Sequence, residues 1–271
     1  MIRGLYTATS GMLLDNQRSD TIGRNMENLN TPGYRQESER VTSFPRLLVS
    51  RLTPSTSGTG PAENVPLGIM GTGVYAEKKL YSTETGEIRE TGSNTDLAFN
   101  SPGYFVVDTL QGECYTRNGH FELDPSGMLR TAGGNLVMGK NGPIGPLSKD
   151  FKIKVDGTVV NIETSTTDKV DGTTSEIKIE TDVDKLRIVN IPAEDLQRDG
   201  LTTLYTAANQ PIDVLPENIR VEQGFVEDAN VDMNAQMVKM LEVMRSYSAN
   251  QKIIQMNDTL LQKAANEVGR V

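Results

Sequence analysis

His120 and Cys114 are the only histidine and the only cysteine in the sequence, so acid–base, thiol and metal chemistry all compete for the same two side chains. Together they offer at most two soft or borderline ligands, short of the four that a structural zinc site takes. With a single histidine no Cys–His or Ser–His pairing has an obvious alternative, and His120 reads instead as a turn or surface residue. The run GNLVMGKN, residues 134–141, places Gly134, Gly139 and Lys140 at the spacing of a phosphate loop. However, Asn141 stands where Ser or Thr would hold magnesium, and the Asn-Leu-Val-Met interior has the look of a strand. GIMGTG, residues 68–73, lacks the flanking strand and helix of a dinucleotide fold, so its glycines are expected to make bends. Asp and Glu number 36, yet no spacing selects a pair of them for general acid–base work. The residues therefore predict no catalytic, cofactor-binding or metal-binding constellation, and the chain reads as a non-enzyme.

What the sequence does organise is its two ends. At the first, Leu5, Ala8, Met12, Ile22, Met26 and Leu29 recur at alternating three and four spacing, with Asp15 and Ser19 in the same stripe. Gly11 and Gly23 each weaken such a helix by roughly 1 kcal/mol relative to Ala. A lone helix of this length is marginal in water, so it is expected to stay largely unfolded until partners cover it. Asn30-Thr31-Pro32-Gly33-Tyr34 marks its stop: Pro32 disfavours helical geometry at Thr31 and has no amide proton, and Gly33 is free to take positive φ.

At the other end, Met233, Met237, Met240, Met244, Tyr247, Ile254, Leu261, Ala265 and Val268 share one heptad stripe, broken only by Gln251 and Asp258. No proline follows Pro216, no glycine lies between Gly224 and Gly269, and Asn230 or Asp232 can cap the start. About forty residues can thus run as one helix of roughly 60 Å. Read alone, such a stripe is an ordinary amphipathic core helix, since methionine is an adaptable packing residue. A matching stripe at the opposite terminus points instead to the two ends packing together. On that reading an Asp at Met240 is excluded from the seam, and an Asp at the off-stripe Gln236 is tolerated.

The centre differs in pattern and in charge. GYFVVDT, GHFELD, FKIKVD, SEIKIET and KLRIVNI alternate or run apolar, with turn signals at Leu110-Gln111-Gly112, Pro125-Ser126-Gly127 and Asp156-Gly157, which predicts an antiparallel β domain. TSTTDKVDGTTS, residues 164–175, is too polar to bury and is expected at an exposed hairpin tip or insertion. Residues 43–72 read as an extended linker. The formal charge is −9; residues 1–40 carry five basic and five acidic side chains and residues 227–271 five and six, so the centre holds −8. This balance argues against non-specific binding to nucleic acid or to an anionic membrane surface. No stretch approaches the ~20 apolar residues of a membrane span. MIRGLYTATS offers no apolar run for a secretory signal, so any export is expected to use another route.

Taken together, the three regions resemble a known family. MIRGLYTATSGMLLDNQRSDTIGRNMENLNTPGYRQ resembles the N-terminal motif of bacterial flagellar rod and hook proteins, a helix with spaced asparagines (Asn25, Asn28, Asn30) ending in Thr-x-Gly-aromatic. ANVDMNAQMVKMLEVMRSYSANQKIIQMNDTLLQKA is similar to the matching C-terminal motif, including Asn230-Val231-Asp232 and Arg245-Ser246-Tyr247-Ser248-Ala249-Asn250. TDLAFNSPGYFVVDTLQGECYTRNGHFELDPSGMLRTAGGNLVMG looks like the β-domain signature of distal rod and hook members. The length suits a rod protein better than the longer hook protein, and residues 161–185 are longer than expected for the family.

The resemblance implies an α+β chain in which long N- and C-terminal helices form an antiparallel coiled coil enclosing a mostly antiparallel β domain with extended linkers. Its expected divisions are a rod helix at 1–33, a linker at 34–76, a β domain at 77–205, a return linker at 206–226 and a second rod helix at 227–271. It also implies a structural subunit of the flagellar basal-body rod, exported unfolded by the flagellar type III apparatus. The subunit would assemble helically with itself and with other rod and hook proteins into the axial shaft that crosses the envelope and drives the hook. No cofactor, nucleic acid or membrane insertion is implied. The assembly interface is expected at Leu5, Met12, Ile22, Met26, Leu29, Met233, Met237, Met240, Met244, Tyr247, Ile254 and Leu261, with Asn30 to Tyr34 as the helix stop. A hook or hook-junction subunit, an enzyme on a β scaffold and a coiled-coil adaptor unrelated to flagella are the competing readings.

Overall fold

A computed structural model of the chain describes residues 2–53, 63–148, 150–168, 174–198, 203–209, 211–213 and 220–268. It divides into two compact units, one of Met1–Met26, Glu37–Leu80 and Met233–Val271, the other of Glu27–Gln36 and Tyr81–Asp232.

The first unit holds α1 (Ile2–Glu27), β1 (Glu37–Ser43), β2 (Leu47–Thr53), β3 (Glu63–Met70), most of β4 (Val74–Tyr81) and, at the far end of the sequence, α2 (Met233–Val268). Residues whose composition predicts a linker thus carry two ribbons. β2 pairs antiparallel with β3 from Leu47↔Met70 to Thr53↔Glu63, and β1 pairs with β4. Two-stranded ribbons with exposed faces need little apolar alternation, which is why the period-two signal is weak here. β1 is held to α1 by side-chain hydrogen bonds instead. The Asn25 amide donates to the Glu37 carbonyl at 2.8 Å and accepts from the Glu37 N–H at 2.8 Å, while Arg24 Nε donates to the Glu37 carboxylate at 3.0 Å.

α1 and α2 lie side by side in antiparallel directions: Ser246 Oγ and Asn250 Nδ2 donate to Asp15 Oδ2 at 2.8 and 3.1 Å, and Ser19 Oγ approaches Met240 Sδ at 3.5 Å. They do not form the coiled coil that the stripes predict. Met237, Met244, Tyr247 and Leu261 are 45, 56, 40 and 45% exposed, whereas Gln236, read as off the stripe, is 1% exposed. At every second stripe position the inward face of α2 is offset by one residue, with Gln236, Val243, Asn250 and Asn257 turned in where Met237, Met244, Gln251 and Asp258 are exposed, while Met233, Met240 and Ile254 of the stripe are half-buried. A seam containing Asp15, Ser19, Gln236 and Asn250 lacks the alternating apolar knobs that a coiled coil interdigitates.

The second unit contains β5 (Ile88–Glu90), β6 (Leu97–Phe99), β7 (Tyr104–Thr109), β8 (Gly112–Thr116), β9 (Phe121–Leu123), β10 (Leu129–Thr131), β11 (Leu136–Val137), β12 (Phe151–Ile153), β13 (Thr158–Asp168), β14 (Thr174–Lys185), β15 (Ile188–Asn190), β16 (Leu196–Arg198), β17 (Leu204–Ala207), β18 (Ile212–Asp213), β19 (Val221–Gln223) and β20 (Phe225–Glu227). A nine-stranded sheet runs β16-β17-β8-β7-β11-β10-β9, with β15 pairing β7 and β18. β7 is apolar and buried over Tyr104–Val107, where both its faces are covered. Phe105 and Val107 join Leu97, Phe99, Phe121 and Leu129 in one core, and Tyr104 and Val106 join Tyr81, Tyr115 and Tyr205 in another. With few aromatics available, the first core places them edge to face, Phe105 standing 4.7 Å from Phe99 and 5.1 Å from Phe121.

Two of the turn signals close as their residues dictate. Gly127 N donates to the Asp124 carbonyl at 2.7 Å and Gly157 N to that of Lys154 at 2.9 Å, each glycine at φ near +80°. β13 and β14 form a long antiparallel hairpin from Thr158↔Lys185 to Asp168↔Thr174. The middle of the polar stretch at its tip, 169–173, lies outside the described residues. Strands from late in the chain close the unit: β19 pairs with β6 and β20 with β5.

Candidate functional site

The residues that could do chemistry are occupied structurally. His120 Nδ1 lies 2.7 Å from Asp96 Oδ1, and Thr91 Oγ1 donates to Asp96 Oδ2 at 2.6 Å. Cys114 is buried with its sulfur 3.6 Å from the Thr109 hydroxyl. Among the described residues, no three His, Cys, Asp or Glu side chains gather as a metal site, and no helix is long and apolar enough to cross a membrane. In the phosphate-loop look-alike, Leu136 and Val137 form β11 and the Lys140 N–H donates to the Lys185 carbonyl at 2.8 Å, so the run is sheet rather than cradle. Gly73 lets the chain pass α1, because a Cβ there would sit 2.5 Å from Ser10 Oγ.

Among the described residues two features stand out, an outward apolar face in the first unit and a buried cluster in the second. In the first, the helices present apolar side chains outward: Leu5, Tyr6 and Leu13 on α1, and Met237, Val238, Leu241 and Met244 on α2. Of the stripe residues, Ile22 is buried, Met12, Met26, Met233, Met240 and Ile254 are half-buried, and Leu5, Met237, Met244, Tyr247 and Leu261 are exposed. Leu29 is half-buried beyond the end of α1, in the second unit.

The two helix glycines differ in kind. A Cβ at Gly11 would lie 2.8 Å from Asn250 Nδ2, whereas one at Gly23 would meet nothing within 4 Å. Gly23→Ala is therefore expected to stabilise α1 by about 1 kcal/mol. Gly11→Ala must push the Asn250 amide off Asp15, and is expected to fall below Gly23→Ala by on the order of 1–2 kcal/mol. Urea unfolding followed by far-ultraviolet circular dichroism compares them; equal gains would mean that the Asn250 contact contributes nothing.

In the second unit the helix-stop motif is a fastening. Gly33, at φ +67°, donates its N–H to the Glu227 carbonyl at 2.7 Å, and a Cβ there would overlap the backbone of Arg117 and Asn118. Tyr34 is buried, with the Arg198 guanidinium 4.3 Å above its ring. Arg35 and Arg117, both buried, flank the buried Glu227: Arg35 Nη2 lies 3.1 Å from Oε1, and Arg117 Nε donates to Oε2. Oε1 also accepts from the Gly86 N–H at 2.9 Å. The remaining Arg117 donors satisfy the carbonyls of Phe99, Ser101 and Gly103 at 2.7–2.8 Å. Burial pulls the Arg117 guanidinium below its usual range, opposed chiefly by the charge of Glu227. Asn230 completes the fastening, accepting from the Gln36 N–H at 2.7 Å and donating to the Glu84 carbonyl at 2.7 Å. Of the motif's other members, Asn30 is exposed and Thr31 and Pro32 are half-buried. No local spacing links residues 35, 117 and 227, so the sequence gives no sign of this cluster.

Residues 222–267, which include Glu227 and Asn230, match the family profile described as flagellar basal body rod FlgEFG protein C-terminal. Residues 98–190, which include Arg117, match that described as flagellar hook protein FlgE/F/G D1 domain. The chain is 29% identical to the flagellar hook-basal body complex protein FlhO of Bacillus subtilis, over the whole of both. It is 28% identical to the flagellar basal-body rod protein FlgF of Caulobacter vibrioides, again over both full lengths. With the flagellar basal-body rod protein FlgG of Bacillus subtilis it shares 30% identity over 98% of this chain and 99% of that one. Agreement from end to end, through both helices and the β unit between them, means that the chain belongs to the family of flagellar basal-body rod and hook-basal body proteins.

Proposed function

We propose that the chain is a structural subunit of the bacterial flagellar basal-body rod, joined to further copies of itself and to other rod and hook proteins along the flagellar axis. The observation that carries this reading is the outward apolar face of the terminal helices, Met237, Leu241 and Met244 above all, on a chain whose relatives include proteins named for the rod. Single exposed apolar residues are ordinary, but a row of them along one helix face is a surface that another chain covers. One such contact repeated around a screw axis gives a filament rather than a closed ring. Passage through the flagellar type III apparatus as an unfolded chain belongs to the same reading. The rod is favoured over the hook by the names of the full-length relatives.

Met244 gives the test. Because it is 56% exposed, Met244→Asp is expected to leave the unfolding free energy of the purified chain within about 0.5 kcal/mol. In cells it should abolish incorporation into basal bodies, leaving them without hooks and the cells non-motile, while Met244→Leu restores assembly. Incorporation of the Asp variant as efficiently as the Leu variant would remove this face from the interface.

A further inference from the structure

The face of α2 that meets α1 keeps Met240 and Ile254 of the apolar stripe but turns in Gln236, Val243 and Asn250 where that stripe would place Met237, Met244 and Gln251. A turn of roughly 50°, half the angle between successive residues, would bring Met237 and Met244 inward in place of Gln236 and Val243 while Met240 and Ile254 stay in the seam. Apolar burial alone favours that turn, so something opposes it. The Asp15 carboxylate, 3% exposed, stands in the seam with Ser246 Oγ at 2.8 Å and Asn250 Nδ2 at 3.1 Å, both on Oδ2. Gly11 makes the room that the Asn250 amide occupies. Turning α2 would bring the Tyr247 ring opposite Asp15 where the Ser246 hydroxyl now lies, and would strip a buried carboxylate of both donors.

We infer that Asp15 is a positioning residue that fixes the rotation of α2 about its own axis, so that the chain alone does not close Met237 and Met244 against itself. A buried polar group setting which faces meet, at some expense of stability, is an attested role for such groups. The inference deepens the assembly reading: the face kept outward is the one assigned there to neighbouring subunits. Its test does not depend on assembly.

The full chain is prepared with Met244→Cys or, separately, Val243→Cys, and labelled with a maleimide; Cys114 is buried and serves as the internal background. With Asp15 present, Met244→Cys should react about tenfold faster than Val243→Cys. Adding Asp15→Leu should reverse the order, while Asp15→Asn, whose amide oxygen still accepts from Ser246 and Asn250, should keep it. Asn250→Ala gives a second route that leaves residue 15 unchanged, and should bring the two rates together. An unchanged order in Asp15→Leu overturns the inference. So does fast reaction at both positions, which would mean that the helices separate rather than turn. Loss of rod assembly by Met244→Asp with these rates as predicted leaves both readings standing; normal assembly with the rates as predicted would sink only the assembly reading.

Discussion

Replacing Glu227 with alanine is expected to destabilise the β unit by about 3–5 kcal/mol and to lower its thermal midpoint by roughly 10 °C. The carboxylate is the shared counter-charge of two buried guanidinium groups, Arg35 and Arg117. Without it two cations remain in a site that water does not reach, and the Gly86 N–H loses its acceptor as well. Glu227→Gln should lie between wild type and alanine, since its amide oxygen can keep one of these bonds while the charge is gone. An all-apolar replacement of the triad should not recover the loss, even though such replacements are often neutral for simple buried ion pairs, because Arg117 also satisfies three carbonyls of residues 99–103. Calorimetry of the purified chain measures the effect, and a loss under about 1 kcal/mol would show that solvent or a rearranged neighbour neutralises the arginines.

The second large effect is expected at Gly33. Alanine there combines a left-handed backbone, unfavourable by about 1–2 kcal/mol for a residue with a side chain, with a methyl group driven into the peptide between Arg117 and Asn118. Backbone cannot step aside as a side-chain tip can, so the overlap should add about 2 kcal/mol or more. Gly134 separates the two contributions. Its φ is +82°, yet nothing lies within 4 Å of where its Cβ would be, so Gly134→Ala should lose the conformational part alone. Equal losses at the two sites in chemical denaturation would mean that the strand end at Arg117 yields, and that the fastening is looser than its geometry suggests.

How much of this was legible in the sequence depends on whether the signal is local. The apolar run at 104–107 and the Pro-Ser-Gly and Asp-Gly turns state their own conformation, and the strands and turns appear where they fall. The helix stop is local too, although α1 ends at Glu27, before the Asn-Thr-Pro-Gly run itself. α2 begins at Met233, directly after Asp232, one of the two cap residues expected. The side of α2 that meets α1 was not legible, because periodicity ranks faces by apolarity and here the contact is made by Asp15, Ser246 and Asn250. Strand pairing within 37–80 was not legible because two-stranded ribbons with exposed faces carry little apolar alternation. The Arg35–Glu227–Arg117 cluster was invisible for a further reason. Charged residues far apart in a chain carry no period, and only the closed fold brings them together.

That cluster also fixes an order in time. A ribosome that has made the chain as far as β18 has supplied both arginines and β5, β6 and the sheet strands, but neither Glu227 nor the strands β19 and β20 that pair with β6 and β5. Until those last strands arrive, closing the unit would trap two cations without a counter-charge, and contacts joining residues so far apart are slow to form in any case. A nascent chain is therefore expected to stay open in this unit until Glu227 is made, and a chain truncated before it to lack the closed, protease-resistant unit.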